Sequence, residues 1–386
     1  MSVQRIYLDN SATTRVDDEV ARAMLPYFTE IYGNASSTHQ YGQQAKQAVE
    51  EARAQVALLL NADKTEITFL SGGTESDNLA ILGVVRAAES PRRHAITCAI
   101  EHPAVLMTMK QLQREGVEVT AVRVGANGIV SPDDVRSAIR PETVLISIMH
   151  ANNELGTLQP IGEIARIARS AGVTLHADGV QALGKVPVDV QALGVDLYTI
   201  SGHKIYAPKG VGALYVRKGT RMSPIAFGGH HERDRRPGTE NVPGIAAFGT
   251  AAELAGTRLR EDAEHLAALR DRLENTILDR IPGTGINGSR WNRTPNTSNI
   301  YFDGIDGEAM VIALDLRGFA VSTGAACSSG ALTPSHVLTA IGLSEDRARA
   351  SMRFSLGRGN SVEQVDALAD AIGASVAHLR RISVHA

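Results

Sequence analysis

Short β-branched, apolar runs alternate with amphipathic stretches through the first two-thirds of the chain. The runs at 67–70, 95–98, 117–122, 144–149, 173–177, 197–200 and 213–216 predict strands. Several are apolar at consecutive positions rather than at every second one, as in a sheet buried on both faces. Between them, stretches such as 45–60 and 160–170 carry apolar residues at helical spacing. This order predicts an α/β fold with a mostly parallel sheet covered by helices on both sides.

After Val216 the pattern changes. A long helical region places Leu266, Leu269, Leu273 and Ile277 on one stripe, and shorter mixed elements follow at 297–302, 308–316 and 352–356. The last helix opens on Ser361-Val-Glu-Gln364, a capping box, with Val362, Val365, Leu368, Ile372, Val376 and Leu379 at helical spacing. The expected division is a large α/β domain over 15–255 and a small α+β domain made of 1–14 and 256–386. Gly283-Thr-Gly-Ile-Asn-Gly288 fits the dinucleotide pattern, but it follows a helix instead of linking a strand to one. It is expected to be a flexible, helix-terminating loop.

Composition narrows the function classes. The 386 residues are 43% apolar, and 39 Lys+Arg against 42 Asp+Glu give a net charge of −3. That balance argues against nucleic acid or an anionic membrane as a main partner. Two cysteines, Cys98 and Cys327, exclude a disulfide framework or an all-cysteine metal cluster within one chain. The first residues lack the apolar core of a signal peptide, and no apolar run approaches the ~18 residues of a membrane span. The expectation is a cytoplasmic enzyme.

Two features carry candidate chemistry. Ser71-Gly-Gly-Thr-Glu-Ser-Asp-Asn78 follows a predicted strand and opens a helix, so the backbone N–H groups near Gly73 and the hydroxyl of Thr74 could cradle an anion. Alone, such a loop is as often an ordinary helix cap. His176-Ala-Asp178 and Ser201-Gly-His-Lys204 end two later strands, at the sheet edge where α/β proteins bind ligands. A lone Asp or Lys is usually a solvated charge. A carboxylate and an amine on successive strand ends, with a phosphate loop beside them, match what pyridoxal 5'-phosphate requires.

The sequence resembles the NifS/IscS-type (group I) cysteine desulfurases, of the class-V aminotransferase family and the aspartate-aminotransferase fold. The resemblance is carried by Tyr7-Leu-Asp-Asn-Ser-Ala-Thr-Thr14, 71–78, Glu101-His-Pro103, His150-Ala-Asn-Asn-Glu-Leu-Gly156, 178–181, 201–204, 228–239 and Gly324-Ala-Ala-Cys-Ser-Ser329. Glu101-His-Pro103 and Pro237-Gly-Thr-Glu-Asn241 look closer to the nitrogen-fixation branch. The resemblance implies that Lys204 binds the cofactor covalently, Asp178 pairs with its ring nitrogen and Gln181 bonds its ring hydroxyl. It implies that His102 stacks on the ring and assists proton transfer, while Gly73, Thr74, Ser201 and His203 hold the phosphate. Thr239 would reach that phosphate from a partner subunit, so a homodimer is implied. Asn153 would lie beside cofactor and substrate, and Arg353 would clamp the substrate carboxylate.

Cys327 sits among small residues, in a loop expected over about 322–333, and would be the nucleophile that takes the sulfur of L-cysteine as a persulfide. Cys98, within a predicted strand, reads as a buried apolar residue. The implied products are L-alanine and a persulfide for an iron–sulfur scaffold or another sulfur acceptor. The rival readings are a selenocysteine lyase, or another pyridoxal-phosphate lyase of the same fold, and a sulfur-relay scaffold without catalysis. Gly179 follows Asp178 where the family usually has Ala, which is expected to loosen that strand end. Gly229-His-His-Glu232 has metal-capable side chains, but the family has no metal there and none is expected.

Overall fold

The computed structural model describes residues 5–90, 92–323 and 334–383. Among them, twelve strands form three sheets. They are β1 (Ile6–Tyr7), β2 (Ile67–Leu70), β3 (His94–Cys98), β4 (Glu118–Val122), β5 (Thr143–Ser147), β6 (Thr174–Asp178), β7 (Leu197–Ser201), β8 (Gly212–Val216), β9 (Thr284–Ile286), β10 (Thr297–Phe302), β11 (Phe319–Ala320) and β12 (Ser351–Ser355). The central sheet has the order β2-β8-β7-β6-β5-β3-β4. All its neighbours are parallel except those of β8, which runs antiparallel to both β2 and β7.

Burial follows the sequence pattern. β2, β3, β7 and β8 are buried at every residue, whereas the edge strand β4 is mostly exposed or half-buried. One face of the sheet packs on helices that include Gln40–Leu60, Ile161–Ser170 and the first half of Val242–Arg280. The opposite face carries Leu79, Val84, Val105 and Leu112 of helices Gly73–Ala87 and Pro103–Arg114. Helices on both faces leave the strand ends as the open surface. β2, β3, β5, β6 and β7 all end on the same edge, and there the site forms.

A second core gathers Leu8, Leu266, Leu273, Ile300, Phe302, Met352, Phe354 and Val376. It lies on the antiparallel sheet β12-β10-β9 and helices Gly307–Asp315 and Val362–Ser383. The long helix Val242–Arg280 serves both cores: residues through Ala255 pack on the first, and those from Leu266 pack on the second. The N-terminal segment also crosses to the second unit, since β1 pairs with β11 and Asp9 bridges to Ser355. The capping box forms, with Ser361 N and Gln364 N each 3.4 Å from the other's side chain.

Two expectations fail here. Residues 283–288 are not a flexible loop, because Thr284–Ile286 pairs antiparallel with β10. Glycine at 285 admits the Tyr301 ring, whose atoms would lie 2.5 Å from a Cβ. Val362 leaves the apolar stripe of the last helix and is 42% exposed.

Candidate active site

The sheet edge opens into a cavity of about 680 Å³. At one corner, β2 leads to Gly72, whose φ of 157° and ψ of −174° suit glycine alone. Helix Gly73–Ala87 starts there without a side-chain cap, and its first residues, Gly73 and Thr74, line the cavity. A Cβ on Gly73 would come within 2.9 Å of Val180 Cγ2, so the backbone approaches closely. Ser201, at the end of β7, adds a buried hydroxyl with no hydrogen-bond partner among the described residues. These are the donors of an anion cradle. Thr74 and His203 line the same cavity, and His203 Nδ1 meets Thr13 Oγ1 at 3.1 Å. Burial first, then Lys204, Lys209 and Lys185, lower His203 to about 4, so it stays neutral at physiological pH.

The floor holds the groups that sequence placed on successive strand ends. Asp178 closes β6, is 6% exposed and accepts from Val180 N at 2.9 Å. Burial pushes its carboxyl upward, while His102, the Val180 amide and Lys204 pull it back. Lys204 follows β7 in a short 3₁₀ turn, and its Nζ donates to the carbonyls of Ser11 at 2.5 Å and Ala12 at 2.7 Å. Gln181 Nε2 donates to the same Ser11 carbonyl at 2.8 Å. His102 is the N-cap of helix Pro103–Arg114, and its Nδ1 accepts from Ala104 N at 3.1 Å. That bond leaves the proton on Nε2, and burial lowers the pKa of the ring.

The opposite wall comes from the second unit. Arg353, in the middle strand-pairing region of β12, is 2% exposed. Its Nη2 meets Asp9 Oδ1 at 2.7 Å and its Nη1 donates to the Asn153 carbonyl at 2.9 Å. The two flanks of segment 324–333 are tied to both units: Ser322 to the wall, and Ser335 and His336 to the first unit. Ser322 bridges to Arg353, Ser335 Oγ donates to Glu154 Oε2 at 2.6 Å, and His336 Nε2 lies 3.0 Å from the Glu101 carbonyl. Cys327 lies outside the described residues. Thr239 is exposed and absent from the cavity lining, so the structure does not bring it together with the other candidates in one chain.

Several buried polar groups went unassigned by sequence. Asp77 lines the cavity at 1% exposure, with Oδ1 3.6 Å from His176 Nε2 and without a hydrogen bond among the described residues. Glu101 Oε1 accepts from Cys98 Sγ and from Met149 N, both at 2.8 Å, and burial raises its carboxyl to about 8. Lys185 is 7% exposed and bonded to Gln181. For Asp77 and Glu101 the one available signal was position within the quoted motifs, and for Lys185 there was none, because buried charge leaves no mark on hydrophobic periodicity.

Gly179 does the opposite of what was expected. A Cβ there would fall 2.0 Å from Tyr198 Cε1 and Cζ, so the missing side chain is replaced by the tyrosine ring. Tyr198 Oη then bonds His150 Nδ1 at 2.7 Å, and His150 N bonds the Asp178 carbonyl at 2.8 Å. The strand end is packed, not loosened. In the 229–232 segment, His230 meets Asp234 at 2.6 Å, while Glu232 takes Arg53 bidentately at 2.7 and 2.8 Å. Those side chains therefore serve separate partners.

These residues fit pyridoxal phosphate. The uncapped helix start and the orphaned Ser201 hydroxyl answer a phosphate, the Lys204 amine answers an aldehyde, and buried Asp178 answers a ring nitrogen that carries a proton. Comparison with known proteins agrees. The aminotransferase class-V family profile matches residues 6–368. A "Cysteine desulfurase IscS" of Methanosarcina thermophila is 49% identical over 98% of this chain and 93% of its own. Among solved structures, a "NifS-like protein" superposes with a TM-score of 0.92 at 38% identity, covering 97% of this chain and 100% of that one. Another, "SspA in complex with cysteine", gives 0.81 at 37% identity over 91% of this chain and 98% of that one. The chain thus belongs to the class-V aminotransferase family, whose cofactor is pyridoxal phosphate.

Proposed function

We propose that this protein is a cysteine desulfurase that converts L-cysteine to L-alanine and leaves the sulfur as a persulfide on Cys327. The observation that carries the reading is the convergence of Lys204, Asp178 and Arg353 on one cavity, in a chain nearly half identical to named desulfurases over almost its whole length. The bound cofactor supplies an aldehyde that captures the substrate amine and a ring that accepts electrons from the α-carbon.

The roles follow from the chemistry of each side chain. Gly73, Thr74, Ser201 and His203 would hold the phosphate. Asp178 would keep the ring nitrogen protonated, because a cation beside it relieves a carboxylate that burial otherwise disfavours. Gln181 would donate to the ring hydroxyl and His102 would cover the ring face. Arg353 and Asn153 would orient the substrate carboxylate, and the Lys204 amine would move the α-proton. Cys327 would attack the substrate sulfur as a thiolate; the carbon skeleton, reprotonated, leaves as alanine.

The finer reading is a cytoplasmic homodimer delivering sulfur to an iron–sulfur scaffold or another acceptor protein. The free thiol of Cys98, bonded to Glu101, suits a reducing compartment. Exposed Thr239 suits a role at a second copy's phosphate site, and exposed Phe28, Tyr32 and Tyr41 offer apolar surface for such a contact. We assign 15–255 to the cofactor-binding unit and 1–14 with 256–386 to the substrate-clamping unit, on the change of packing between Ala255 and Leu266, with Val337, Leu338, Ile341 and Ala348 of the second stretch packing back on the first core. The direct test mixes the holoenzyme with L-cysteine and a reductant and assays sulfide and alanine together. Equal release of both supports the reading; sulfide without alanine, or neither, overturns it.

A further inference from the structure

Lys185 is a buried amine for which the mechanism above has no use. It closes the turn 180–185 that follows Asp178, and its side chain returns to Gln181. Nζ donates to the Gln181 carbonyl at 3.1 Å and to the side-chain Oε1 of the same residue at 3.2 Å. Gln181 is 6% exposed and Lys185 is 7% exposed, so bulk water does not compete for these atoms. The other end of the amide, Nε2, donates to the Ser11 carbonyl at 2.8 Å.

A glutamine amide has two ends of nearly equal shape and opposite hydrogen-bonding sense, so its neighbours decide which way it faces. Here both neighbours agree. The amine has hydrogens to give, and the Ser11 carbonyl has only lone pairs. The reverse orientation would set the amide oxygen against a carbonyl oxygen and the amide N–H₂ against the amine. Burial, with Lys204 adding to it, lowers Lys185 to about 7, and either protonation state keeps the two hydrogens that its two acceptors need. Burying an amine costs stability that an aliphatic side chain of the same length would not. The second hydrogen on Nε2 remains for a ligand in the cavity that Gln181 lines.

We propose that Lys185 is a positioning residue: it locks the Gln181 amide with its donor end toward the cavity, so that the ring hydroxyl of bound pyridoxal phosphate always meets an N–H. This rests on the assignment of Gln181 to that hydroxyl. The lock holds the ring oxygen as an acceptor and thereby sets the protonation behaviour of the lysine-bound cofactor.

The test is a double-mutant cycle on the holoenzyme with K185M, Q181A and the pair, and with K185L in place of K185M if the latter does not fold. Two quantities are read: the cofactor dissociation constant, and the pH midpoint of the visible band of the lysine-bound cofactor. K185M is expected to weaken cofactor binding about tenfold and to move the midpoint in the same direction as Q181A. In the Q181A background the same change should alter either quantity less than about twofold, because the lock has lost its object. A wild-type band and affinity in K185M would overturn the lock, as would an equal effect of K185M with and without Gln181. If Q181A itself changes neither quantity, the failure lies in the Gln181 assignment, and the lock falls with it.

Discussion

Asp178 and Arg353 face the same cavity from different units of the chain, and their surroundings differ. Asp178 sits at the end of a buried strand, held by one backbone amide and raised by burial. Arg353 is as deeply buried but already meets a carboxylate, Asp9, and a backbone carbonyl. On the floor, His102 and Lys204 only partly offset the burial of Asp178, whereas on the wall Arg353 meets a carboxylate at hydrogen-bond distance before substrate arrives. A protonated ring nitrogen stabilises Asp178 outright. A substrate carboxylate must instead share Arg353 with Asp9, through the planar fork that lets one guanidinium serve two partners. The cofactor side of the site should thus be tight and the substrate side exchangeable.

Removing the charge of the floor should have the largest effect. Asp178→Asn keeps the shape and the bond to Val180 N but cannot hold the ring proton, so kcat should fall about 10²–10³-fold. Steady-state alanine release checks this, and near-normal kcat would mean that the floor does not act by charge. On the wall, Arg353→Lys replaces a fork with a point charge. KM for cysteine should rise about tenfold while the visible band of the resting holoenzyme stays unchanged. A shifted band with unchanged KM would show that the two sides are not separable.

A smaller effect tests the layer beneath the floor. Burial raises Glu101 to about 8, so its neutral form is the one that fits the fold. That contribution is complete below the ordinary carboxyl range near 4.5 and is lost as pH rises toward 8. Glu101→Gln keeps an oxygen for the Cys98 thiol and the Met149 amide without ever ionising. Its melting temperature should gain on the wild type by a few degrees as pH rises from about 5 to about 8. Parallel pH dependence in the two proteins would mean that burial does not shift the Glu101 carboxyl between the unfolded and folded states.

The same contrast explains what could be read from the chain. The inner strands of the central sheet were legible almost to the residue because they are buried on both faces, so each is an apolar run ended by polar residues, while the edge strand β4 was legible from its β-branched residues. Asp178, Ser201 and Lys204 were legible because they stand where those runs stop. β1, β9 and β11 were missed, since strands of two or three residues carry no period. Lys185, Asp77 and Glu101 were missed for a different reason: a buried charge and a surface charge look alike until the fold supplies neighbours. Gly179 was misread because the ring that fills its place, Tyr198, belongs to the adjacent strand β7.

The central claim is that sulfur leaves cysteine onto Cys327. The most direct measurement exposes the holoenzyme to L-cysteine, caps its thiols with an alkylating reagent, and maps added sulfur by peptide mass. The account predicts one extra sulfur atom on the peptide that contains Cys327. In Cys327→Ser it predicts no added sulfur and almost no alanine, although the cofactor spectrum still changes when cysteine is added, and Cys98→Ser should behave as wild type. Added sulfur on Cys98, or full alanine release from Cys327→Ser, would contradict it.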